Sequence, residues 1–111
     1  MATFVFTYRM PAGYVPAGYV PAGPDTMAAW AAWFDSMGES LSDRGNPVFG
    51  SAKLGNCGAE TRPGGYTFVN AEDLESAVAL AKGSPALEAG GGVEVGAITV
   101  LNLDSASGSQ G

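Results

Sequence analysis

Histidine is absent from these 111 residues, and cysteine occurs once, as Cys57. The usual zinc sites draw their ligands from Cys and His, so that class of metal centre is excluded. The commonest general base near neutral pH is missing as well. One cysteine allows no intrachain disulfide, which fits a reducing cytoplasm. Charge is scarce too. Charged residues make up 14% of the chain, against roughly 25% in an average soluble domain. The five cations, Arg9, Arg44, Lys53, Arg62 and Lys82, are scattered, and eleven acids leave a net charge of −6. No cationic cluster is available to neutralise phosphates or an anionic lipid surface, so neither nucleic acid nor membrane is expected as a partner. Long apolar runs are lacking; none nears the roughly 18–20 residues that span a bilayer. The chain does not open with a basic segment followed by an apolar stretch and a cleavage site, so no signal peptide is expected and the expected location is the cytoplasm.

What is present is apolar: 46% of the residues. A small domain with so few charges is expected to hide part of its surface in a partner, most simply a second copy of itself. Residues 1–104 read as one domain, with a loop insertion at 11–23 and a tail at 105–111 that has nothing to bury and is expected to be disordered.

The stretch Gly64 to Leu101 organises the chain. Gly64 to Asn70 reads as a turn and strand, Ala71 to Lys82 as a helix, and Val93 to Leu101 as a strand. Asn70 is a suitable N-cap, and Val69 and Leu74 have the spacing of a hydrophobic staple. Glu72, Asp73 and Glu75 at the start and Lys82 at the end suit the helix dipole. Leu74, Ala77, Val78 and Ala81 form one apolar stripe. Gly83 suits a left-handed position past the helix end, and Pro85 is expected to prevent the helix from resuming.

Upstream, Ala2 to Arg9 is β-branched and aromatic on both faces and reads as a strand buried on both sides, with Phe4, Phe6 and Tyr8 on one face and Thr3, Val5, Thr7 and Arg9 on the other. Residues 11–23 are two copies of Pro-Ala-Gly-Tyr-Val and a truncated third. Pro and Gly at this density favour a loop. The plain reading is a tolerated surface expansion; the functional one sets Tyr14 and Tyr19 over a pocket or an interface. Asp25 to about Asp43 reads as a helix, with Gly38 a point where it kinks or shortens. Val48 to Leu54 reads as a short strand. The order strand, helix, strand, strand, helix, strand predicts an α+β, ferredoxin-like βαββαβ domain with a four-stranded antiparallel sheet. With both helices on one face, the other face is expected to pack on a second copy's sheet.

Several segments together resemble the YCII-related family of the dimeric α/β-barrel superfamily. They are Trp30-Ala31-Ala32-Trp33-Phe34-Asp35-Ser36-Met37-Gly38, Gly45-Asn46-Pro47, Gly64-Gly65-Tyr66-Thr67, Ala71 to Ala77, and Gly91-Gly92-Val93-Glu94-Val95. The resemblance covers roughly residues 2–8 and 25–101. It implies a dimeric α/β barrel, formed by a ferredoxin-like domain that dimerises through its sheets, with a cleft beside the sheet. Some members carry a His and Asp proposed as a catalytic pair; with no histidine, this chain does not inherit that chemistry.

Seven residues are candidates to line a ligand pocket. Trp30, Trp33 and Phe34 form an aromatic group on the first helix, either core or the wall of an apolar pocket. Tyr8 and Arg9 end the first strand, where Arg9 either holds a ligand carboxylate or sits at an exposed strand end. Asp35, with Glu39 one turn on, is either a paired acid or part of a solvated face. Glu94, between Val93 and Val95, either needs a partner such as Lys53 or Arg9 or lies at a rim open to water. Cys57 has no basic neighbour in sequence to activate it. Gly90-Gly91-Gly92 precedes a strand and is a turn, not a phosphate cradle. The expectation is a homodimer that binds a small apolar or aromatic metabolite without metal or cofactor. The alternatives are a cofactor-independent oxygenase or isomerase, and an interaction module that uses the repeat.

Overall fold

The computed structural model describes residues 1–11 and 24–101, with no account of the Pro24 side chain. The tail and all of the repeat beyond Pro11 lie outside the described residues. Strand β1 is Ala2–Pro11, helix α1 is Pro24–Met37, and a 3-10 turn, Gly38–Ser40, leads into β2, Leu41–Asp43. Then come β3, Thr61–Ala71; α2, Leu74–Ala81; α3, Pro85–Glu88; and β4, Gly92–Ala97. The strands form one antiparallel sheet in the order β2-β3-β1-β4. This α+β arrangement, one four-stranded sheet and three helices, is compatible with a ferredoxin-like fold.

Alternation along β1 fixes which face the helices cover. Phe4, Phe6 and Tyr8 are buried, while Thr3, Val5, Thr7 and Arg9 are half-buried on the other side. Phe4 pairs with Val69 of β3, and Phe6 lies between Thr67 of β3 and Val95 of β4. Trp33 and Met37 of α1, Ala77 and Ala81 of α2, and Ala86 of α3 complete the core. Small residues at 77, 81 and 86 leave the bulk of the core to β1 and α1.

The structure differs from several of these expectations. The helix expected over Asp25 to Asp43 stops at Met37 because Gly38 takes a left-handed φ of 54°, a region costly to other residues. The released chain supplies β2, so the second strand is Leu41–Asp43 and not Val48 to Leu54. The latter segment is not a strand; a bridge at the preceding Pro47 and the bond from Val48 N–H to Gly64 O, 3.1 Å, tie its start to β3. Helix α2 begins three residues late, because pairing with Ala2 holds β3 extended to Ala71. Its N-cap is Asp73, whose Oδ1 accepts the Ser76 N–H at 2.8 Å; Asn70 instead accepts from Thr3 Oγ1 at 3.2 Å. Pro85 does not bar a helix. It opens α3, with Ser84 Oγ as cap, the one helical position where a missing N–H costs nothing.

The last strand is shorter than expected: its pairing with β1 ends at Ala97 opposite Phe4, and Ile98 N–H still donates to Thr3 O at 3.0 Å. Gly83 is not left-handed. Its requirement is space, since a Cβ there would lie 3.1 Å from Trp33 Cδ1.

Candidate ligand groove

The apolar stripe of α2 is wider than the sheet needs. Ala77 and Ala81 turn to the core, but Leu74 and Val78, one turn apart, stay 50% and 37% exposed. They line one wall of an open groove together with Ala81 and Lys82. Leu87 of α3 closes one side and is 45% exposed. Val93 and Val95, two apart on β4 and so on one face of the strand, form the floor. The groove holds about 290 Å³, close to the lower bound of ligand pockets, about 300 Å³. Lys82 is its sole charged lining residue. A smaller depression of about 190 Å³, near the end of β3, is lined by Ser40, Asn70, Glu72 and Ser76 among others.

The seven residues expected to line a pocket do not gather in one place, and none lines either depression. Tyr8, Trp30, Trp33 and Phe34 come together on the helix side. Trp30 meets Tyr8 edge-on at 5.0 Å between ring centroids, and Trp33 stacks on Phe6 at 6.0 Å. Trp33 is 6% exposed, and its indole N–H donates to Leu80 O at 3.1 Å. The polar handle expected for a ligand is therefore used inside the core. Tyr8 OH lies 2.6 Å from Thr67 Oγ1, whose own proton goes to Arg44 O at 2.8 Å. Thr67 has one proton to give, so Tyr8 is the donor. Burial pushes the Tyr8 phenol up to about 12, partly offset by its bond to Thr67.

Arg9, Glu94 and Asp35 lie elsewhere. Arg9 and Glu94 sit on the open face of the sheet, on neighbouring strands, with Arg9 opposite Gly92 and Glu94 opposite Thr7. Arg9 Nη2 donates to Thr61 Oγ1 at 2.9 Å, and Lys53 Nζ donates to Gly58 O at 2.6 Å. Neither cation pairs with Glu94, which is exposed, as is Asp35 on α1. Cys57 is free and exposed.

The groove residues were visible in the sequence only as helix and strand formers. One available signal was surplus: an apolar stripe on α2 followed by two valines on the adjoining edge strand. Among the described residues, no three of Cys, Asp and Glu gather as a metal site, and no helix is long and apolar enough to cross a membrane. Comparison with protein-family models, with curated proteins and with solved structures finds no match for this chain.

Proposed function

We propose that this chain is a homodimeric, cytoplasmic binding protein of the YCII-related, dimeric α/β-barrel kind. It takes a small apolar or aromatic molecule into the groove between α2 and β4, without metal or cofactor. The observation that carries the reading is the exposure of Leu74, Val78 and Leu87 around one concavity. Apolar surface left in water forgoes about 25 cal/mol per Å², and an apolar ligand recovers it.

The open face of the sheet supports the dimer. Val5, Tyr66 and Phe68 are half-buried there with no helix above them among the described residues, and Gly96 lies beside Val5. Two such faces pack about 10 Å apart. An oxygenase or isomerase would need a carboxylate withdrawn from water as its base. Asp35 and Glu94 are both exposed, so binding is the preferred reading.

Native mass spectrometry of the freshly purified protein tests both parts. The expected species is a dimer with extra mass that is lost on activation. A bare monomer contradicts the dimer and leaves the groove without a co-purifying occupant.

A further inference from the structure

Resting on that reading of the groove, we propose that it selects a molecule with an anionic end: a short aliphatic or aryl-aliphatic carboxylate, with Lys82 holding the carboxylate. The lining is apolar at every position but one. That exception is a cation in a chain where acids outnumber bases eleven to five, and no acid lines the groove. A ligand amine would find no counter-charge among these walls; a carboxylate would.

Lys82 is also available. Arg9 is held by Thr61, Lys53 by Gly58 O, and Arg62 by Val48 O and Phe49 O. The Lys82 ammonium makes no hydrogen bond or ion pair among the described residues. Lys82 lies just past the last residue of α2, at the opposite end of that wall from Leu74. Eight residues separate them, about 12 Å at about 1.5 Å per residue. The fitting ligand therefore has a carboxylate at one end and an apolar body of modest length. A cation near the end of α2 also suits the helix dipole, a role that needs no ligand and predicts no ligand selectivity.

The test is calorimetric titration of the full chain with three probes that share one body: 4-phenylbutanoate, 4-phenylbutan-1-ol and 4-phenylbutylamine. The carboxylate should bind about tenfold tighter than the alcohol, as a charge-assisted contact that is partly open to water allows. The amine should bind no tighter than the alcohol. Lys82→Gln should remove most of the carboxylate's advantage over the alcohol, while Lys82→Arg should keep the preference. If no probe binds, the groove reading falls and the inference with it. If all three bind alike, or Lys82→Gln keeps the carboxylate preference, the groove stands and the role of Lys82 is overturned.

Discussion

Tyr8 shows how one side chain joins the sheet, the aromatic cluster and the loop after β2. Its ring packs against Trp30, and its hydroxyl donates to Thr67, which donates in turn to the main chain at Arg44. Ionising the phenol would remove the first donor and bury a charge. The folded phenol titrates near 12, above its ordinary 10.0, so the sign is fixed. Its contribution is complete below about pH 10 and is lost as pH rises toward the folded value. The melting temperature should therefore fall between pH 10 and 12. Tyr8→Phe should cost about 0.5–1.5 kcal/mol at pH 7 and lack this tyrosine's share of the alkaline loss. Thermal melts of the two proteins across that range check it.

At the scale of elements, α2 carries both the core contact and the groove, and its start hangs on Asp73. The Ser76 N–H holds the Asp73 carboxyl below its ordinary value of 3.8. A lowered carboxyl pKa stabilises the fold above the unfolded value, near 4, and the benefit fades as pH falls through the folded value. Asp73→Asn keeps a good cap but should lose this acid dependence. Asp73→Ala should lose the cap as well, with faster amide exchange in the first turn of α2. Hydrogen exchange at Ser76 and Ala77, measured near neutral pH and again in acid, separates the two.

The same helix marks how far the sequence was legible. Its stripe and its acidic start are readable from spacing. Its first residue is not, because both Asn70 and Asp73 suit a cap locally. Only the pairing of Ala71 with Ala2 decides between them. The second strand failed for a related reason. Leu41–Asp43 is three residues long and reads locally as the end of a helix. Its pairing with Val69 and Phe68 is a long-range fact that no local pattern carries. Trp30, Trp33 and Phe34 were legible as a cluster, but whether it faced a ligand or the core turned on Phe6 and Leu80, far away in sequence.

At the scale of the whole molecule, two apolar surfaces among the described residues bear on function. One is the open face of the sheet around Val5, Tyr66 and Phe68; the other is the groove at the β4 edge. They lie on opposite faces of the sheet, so a sheet-to-sheet dimer would leave both grooves accessible. We propose that a second copy covers the first surface and that the groove, and not the aromatic cluster of α1, receives the ligand. The most direct measurement is methyl NMR of the isotope-labelled protein, titrated with 4-phenylbutanoate. The account predicts that the methyls of Leu74, Val78, Leu87, Val93 and Val95 shift together and saturate, while Met37 in the core stays still. Shifts centred on Met37 and the indole signals of Trp30 and Trp33, with the groove methyls unmoved, would contradict it.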